Sequence, residues 1–249
     1  MNAQEVAPGI HRILSHDVVN WYLVEEDGRL AAVDAGLPSD WDALTRVIRD
    51  LGRTSADLAA VVLTHAHIDH TGFAEQARTD AGATVYLPVG ERELAAHQLR
   101  AAKSERSPLL YMRRAPTRKL MLTMMRAGAF RSRPIREFET FDDGDVLDAV
   151  PGKPVAVATP GHTFGHMALH LPGRGVLFTG DSLVTRDPYT DLSGPRLVAR
   201  AATADLDKAL ASLDRIAATG SGTLLPGHGE PWKDGAAEAA TQARAAGSA

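Results

Sequence analysis

The chain has 249 residues, 44% of them hydrophobic and 23% charged, with a formal net charge of −4. That composition is ordinary for a globular protein, and the length buries a core without disulfide or metal staples, so a bound metal is expected to be catalytic rather than structural. The absence of cysteine removes disulfides, thiol nucleophiles and thiolate-held zinc.

The N-terminal residues carry no basic segment followed by an apolar one, and no run approaches the ~18 apolar residues of a membrane span. A cytoplasmic protein with no membrane partner is therefore expected. Strands are predicted at Ile10–Leu14, Val18–Glu25 and Arg29–Asp34, separated by polar or Gly-containing turns. After Pro38, the spacing of Trp41, Leu44, Val47, Ile48 and Leu51 predicts an amphipathic helix stopped by Gly52. A short apolar strand, Ala59–Thr64, leads into a histidine-rich run. A helix from about His70 to Ala81 and a strand at Ala83–Leu87 follow.

From Glu91 to about Arg136 the sequence turns Arg-, Leu- and Met-rich and helical by pattern, and it reads as an insertion. Strands resume at Val146–Leu147, Val155–Thr159, Met167–Leu171 and Gly175–Thr179. A helix over Ala204–Ala218, a strand at Thr223–Leu225 and a helix from Ala236 complete the pattern. Strands mixed with helices in two similar halves predict an α/β architecture with two sheets.

The strongest chemical feature is His65-Ala66-His67-Ile68-Asp69-His70, four potential ligands in six residues directly after a strand. Imidazole suits zinc and related ions, and aspartate adds a hard oxygen ligand. In an extended turn His65 and His67 can face one position while Asp69 and His70 reach a second beside it. The competing explanation is a helix start capped by Asp69. Three later segments share one form, a polar residue on a Gly-containing loop after a strand: Thr159-Pro160-Gly161-His162, Thr179-Gly180-Asp181-Ser182 and Leu225-Pro226-Gly227-His228-Gly229. Each is weak alone; together, in this order, they are specific.

With these motifs the chain resembles the metallo-β-lactamase superfamily of hydrolases over nearly its whole length. The resemblance implies a four-layer αβ/βα sandwich, two mixed β-sheets flanked by helices. Residues 1–249 would form a single domain, with about 91–136 a helical insertion and candidate lid. It implies that His65, His67 and His162 hold one metal, that Asp69, His70 and His228 hold a second, and that Asp181 bridges both. Two divalent ions are expected, zinc first, with iron or manganese as alternatives. Hydroxide formed at such a pair would attack a lactone, ester or thioester carbonyl, with Asp69 and Asp181 as the catalytic carboxylates. Asp34, at a strand end, would orient a ligand histidine through its free N–H; by sequence alone a turn-initiating aspartate explains it equally well. His166 is assigned a supporting role, since the family's ligand is the first histidine of the His162/His166 pair. His11, His16, His97 and His170 lack ligand spacing.

The resemblance is to members with a full carboxylate bridge, such as glyoxalase II-like thioesterases and lactonases. β-Lactamases of this fold differ at the bridging position. Little sequence follows His228, so the helical domain with which glyoxalase II grips glutathione is not expected. Tyr189 lies eight residues after Asp181 and is a candidate lining residue. Met121 and Met124, at helical spacing among arginines, either line a lid over an acyl substrate or pack the insertion against the body or a second subunit. A small acyl substrate is expected and no nucleic acid, because the rest of the chain is acidic. A homodimer stays open. Iron-dependent persulfide dioxygenases, phosphodiesterases and β-lactamases share the scaffold and are the alternative activities.

Overall fold

The computed structural model describes residues 3–97 and 110–248. Part of the predicted helical insertion, residues 98–109, lies outside the described residues.

The first sheet has seven strands in sequential order: β1 (Ala3–Ala7), β2 (Ile10–Ser15), β3 (Val19–Glu26), β4 (Arg29–Val33), β5 (Leu58–Val62), β6 (Thr84–Pro88) and β7 (Glu139–Phe141). It is mixed. β1 to β4 pair antiparallel, and β4 to β7 pair parallel across helical crossovers. The crossovers contain α1 (Trp41–Asp50), α2 (Ala74–Gln76, continued by a π-helical turn over Ala77–Ala81), α3 (Arg92–Ala96) and α4 (Ala115–Arg126). The second sheet, also mixed, runs β13-β10-β9-β8, with β8 (Val155–Ala158), β9 (Met167–Leu171), β10 (Val176–Gly180) and β13 (Thr223–Pro226). A separate hairpin joins β11 (Val184–Arg186) to β12 (Ser193–Arg196), and α5 (Leu206–Ala218) and α6 (Ala236–Ala246) complete the described elements.

Strand alternation builds the layers. Along β3, Tyr22 and Val24 point between the sheets, where they meet Val33, Val62, Leu169, Phe178 and Leu225. Trp21 and Leu23 point the other way, onto Leu44 and Ile48 of α1 and onto Phe73. Outside the second sheet, Leu177 and Leu224 pack on Leu213 and Ile216 of α5 and on Ala239 of α6. The result is helix, sheet, sheet, helix, the predicted four-layer α/β sandwich. Each fully buried large side chain adds about 1.5–3 kcal/mol, so the three apolar layers hold the fold without help from the ligand residues.

Several predicted elements change. The helix expected from His70 starts only at Ala74, because Gly72 N–H donates to the Gly36 carbonyl and Phe73 N–H to that of Ala35, tying this stretch to the β4 loop. Val146–Leu147 is no strand; it makes a single bridge, Val146 to Val155. The helix expected from Ala204 begins at Leu206, with Asp205 as its cap accepting from Lys208 N–H. Strands β1, β7, β11 and β12 were not predicted: β1 is largely exposed, and β12 (Ser-Gly-Pro-Arg) has no strand propensity and is held by β11. No helix among the described residues is long and apolar enough to cross a membrane.

Candidate metal centre

Every ligand-type side chain singled out in the sequence sits on a loop at a strand's C-terminal end, and all these loops open at the same edge of the sandwich. β5 delivers His65 to His70, β8 delivers His162, β10 delivers Asp181 and β13 delivers His228. The structure brings together three sets of donor atoms, each within 4.8 Å of one another: His65, His67 and His162; Asp69, His70 and His228; and His65, His70 and Asp181. Asp181 lies between the two triads. Its Oδ2 is 3.5 Å from His162 Nε2 and 3.2 Å from His228 Nε2, and its Oδ1 is 3.5 Å from His70 Nε2.

The hydrogen bonds fix three of the imidazole tautomers. His228 Nδ1 lies 2.7 Å from the Val18 carbonyl, which only accepts, so Nδ1 carries the proton and Nε2 a lone pair. His70 Nδ1 donates to Asp34 Oδ2 at 2.9 Å, with the same consequence for its Nε2. Thr64 hydroxyl donates to Asp34, so its oxygen accepts from His65 Nδ1 at 3.0 Å and frees His65 Nε2. Asp34 therefore orients two histidines, one directly and one through Thr64. It also receives the Thr64 N–H at 2.8 Å and holds a left-handed backbone, φ 59°, a strained conformation of the kind found at functional sites.

All the freed lone pairs face inward. His65 Nε2, His70 Nε2, Asp181 Oδ1 and His228 Nε2 are buried with no hydrogen-bond partner, and His162 turns its Nε2 to the same centre. Folded proteins leave few such atoms, and each calls for an explanation. His67 Nδ1 and His162 Nε2 face each other at 2.8 Å, a distance at which two imidazole nitrogens share a proton or a cation. A nitrogen-rich donor set with buried carboxylates fits divalent metal ions of the zinc type.

Charge divides the centre. Burial, aided by His70, His162 and His67, pushes His65 well below the ordinary histidine value; burial does the same to His162 despite Asp181. At the other triad burial is outweighed. Asp181, Asp34 and Asp69 raise His70 well above its usual value, and Asp181 and Asp69 raise His228. Burial likewise loses at Asp181, which His228 and His70 hold well below the carboxylate range. Positive charge is thus favoured beside Asp181, the charge that a bound cation would supply.

His166 does not join the donors. Its Nε2 accepts the Asp181 N–H at 3.0 Å and its Nδ1 donates to Thr159 Oγ1 at 2.9 Å, and burial pushes its pKa down to about 3. It is a neutral prop under the Asp181 turn. Tyr189, Met121 and Met124 share an apolar cluster with Leu37, Leu120 and Ile68, so α4 rests on the ligand loop through Ile68. Met124 is 6% exposed, a packing position, whereas Tyr189 and Met121 are partly exposed. Sequence reasoning missed Thr64, which stands next to the motif, and the Val18 carbonyl, for which the sequence carries no mark.

The loop after β13 leaves no space for a side chain at Gly227. A Cβ there would sit 2.2 Å from Asp181 Oδ1 and 2.7 Å from His70 Cε1. Gly227→Ala is expected to push those two groups apart while the core stays intact, weakening metal binding about 10- to 100-fold, the range for disturbed ligand support. Metal analysis after dialysis checks it, and wild-type metal content would count against this geometry.

Comparison with known proteins gives the class to which this sandwich and its loop edge belong. The metallo-β-lactamase superfamily profile matches residues 15–228. The chain belongs to that superfamily. It is 25% identical over 247 residues to Probable metallo-hydrolase YflN of Bacillus subtilis, covering 91% of this chain and 86% of that protein. A hydroxyacylglutathione hydrolase of Cereibacter sphaeroides is 30% identical over 138 residues, 55% of this chain and 39% of its own length. Among solved structures, a metallo-β-lactamase family protein from Thermus thermophilus superposes with TM-score 0.69 and 28% identity, covering 96% of this chain and 79% of that one.

Proposed function

We propose that this protein is a two-metal hydrolase that cleaves a lactone, ester or thioester. The observation that carries the proposal is the convergence of histidine and aspartate donor atoms from four loops on one centre, several of them buried without a hydrogen-bond partner. His65, His67 and His162 would hold one ion, and Asp69, His70 and His228 the other, with Asp181 serving both. When bound, the ions supply an acidified water and a Lewis acid for the substrate oxygen. The side chains do the rest. Asp34 and Thr64 keep His70 and His65 in the tautomer that offers Nε2, the Val18 carbonyl does so for His228, and His166 fixes the turn carrying Asp181. Asp69, 14% exposed and 3.6 Å from His228 Nε2, would hold the attacking water and take its proton.

A cavity of about 300 Å3 adjoins this edge, lined by Val18, Pro116, Leu120, Lys119 and Arg186 among others. Its two cations are matched by two lining carboxylates, Lys119 by Asp17 and Arg186 by Asp17 and Asp191, so the apolar walls suit a small acyl group with a neutral polar end. Zinc is the metal favoured by the imidazole-rich donors.

Hydrolysis assays on metal-analysed protein test the proposal, using homoserine and aliphatic lactones, glutathione and CoA thioesters, aryl phosphodiesters and a β-lactam. Turnover of a lactone, ester or thioester, lost on chelation and restored by zinc, is expected. Oxygen uptake with glutathione persulfide at one iron per chain would sink the hydrolase assignment.

A further inference from the structure

Glu91 is 1% exposed, on the turn between β6 and α3, and both its carboxylate oxygens are in use. Oε2 accepts the Ala66 N–H at 2.9 Å, and Oε1 accepts the Gly165 N–H at 2.9 Å. Ala66 lies between His65 and His67; Gly165 lies three residues beyond His162. One side chain therefore ties together the two loops that carry the first histidine triad. We propose that Glu91 is a positioning residue that sets the separation of these loops, and with it the affinity of the His65/His67/His162 triad for its metal. This inference rests on the two-metal reading of the centre.

Two features argue against mere packing. Burying a carboxylate away from water costs several kcal/mol unless its lone pairs are filled, and an apolar residue would fill the same volume without that cost. A carboxylate is the side chain that offers two acceptors and no donor, which is what two facing N–H groups require. The approach is also set by backbone contact. A Cβ on Gly165 would lie 2.4 Å from the Gly90 carbonyl carbon, and one on Gly90 would lie 2.7 Å from Gly165 Cα. Two adjoining glycines let the β6–α3 turn reach the His162 loop closely enough for Glu91 to span both. The other triad draws its support elsewhere, His70 from Asp34 and His228 from Val18. The effect of Glu91 should accordingly fall mainly on the first triad, whose two loops it joins.

Glu91→Gln keeps the shape but turns one acceptor into a donor, so an NH2 group faces either Ala66 or Gly165 N–H and one loop is released. Zinc competition titrations against a chromophoric chelator, with histidine ring nitrogens followed by NMR, read the result. Wild type is expected to take up two zinc ions in two steps. In the variant the step that moves the His65, His67 and His162 signals should weaken about 10- to 100-fold, while the step that moves His70 and His228 shifts by about twofold or less. Unchanged affinities, or equal loss at both steps with a lowered melting temperature, would overturn the positioning role. A wild type that binds no zinc would instead overturn the two-metal reading and this inference with it. Should the variant fail to fold, hydrogen exchange of metal-free wild type decides. The Ala66 and Gly165 amides, held by one carboxylate, should show matching protection, and rates differing by more than about tenfold would refute the clamp.

Discussion

Asp34→Asn is expected to leave the protein folded and to lower its hydrolytic rate by orders of magnitude. The substitution suits the backbone, because asparagine tolerates the left-handed conformation that Asp34 adopts. It changes the polarity of one atom. The Thr64 N–H can only donate, so the asparagine oxygen goes to it and the NH2 group faces His70 Nδ1. His70 must then present a lone pair at Nδ1 and carry its proton on Nε2, the atom aimed between Asp69 and Asp181. A protonated Nε2 cannot bind a metal. The wrong histidine tautomer costs about 10⁴ in rate in a Ser-His-Asp triad, and a loss of about 10²–10⁴ is expected here. Stability should change by only about 0.5–1.5 kcal/mol, the net value of one hydrogen bond. Ring-nitrogen NMR should show the His70 proton moved, and metal analysis should show one zinc per chain. Two zinc ions with undiminished turnover would refute the orienting role of Asp34.

Asp181→Asn is expected to act on both triads at once. Its oxygens lie within 3.5 Å of nitrogens from His70, His162 and His228, and all three partners lose the same negative charge. The turn itself stays in place, since the contact with His166 is made by the backbone N–H of Asp181. Losing one partner of a buried charge pair costs about 3–5 kcal/mol, so zinc affinity should fall by about 10²–10³ or more, with activity following. The titration that separates two steps for Glu91→Gln should here show both weakened. Loss confined to one step would refute a role for Asp181 at both metals.

The donors were legible because their marks are local. His65 to His70 stand within six residues, and His162, Asp181 and His228 each follow a strand on a Gly-containing loop. The four-layer fold was legible for a similar reason, since alternation in β3 and the 3.6-residue spacing in α1 each show which face is buried. What holds the donors was not legible. Glu91 acts on Ala66 and Gly165, 25 and 74 residues away, and no spacing rule connects them. Asp34 could be suspected from its place at a strand end, but its second route, through Thr64 to His65, exists only once β4 and β5 pair. The overlong helix at His70 has the same origin. Its pattern was helical, yet its first N–H groups are taken by carbonyls of the β4 loop.

The hairpin of β2 and β3 grips the last ligand loop closely. Asn20 Nδ2 donates to the carbonyls of Pro226 and Gly229, Tyr22 hydroxyl to that of Pro226, and Arg12 to that of Gly229 and to Glu230, while Val18 receives His228. Each of these contacts joins residues more than 200 positions apart. Contacts so distant in sequence close the largest loops, which is the slow part of folding. The donors of the first triad all precede β9, the strand that pairs with β8, whereas the second needs β13 docked beside β10 and against the N-terminal hairpin. A chain cut short of β13 would therefore hold every donor of the first triad and lack His228 of the second, so the second triad would assemble only with the whole sandwich.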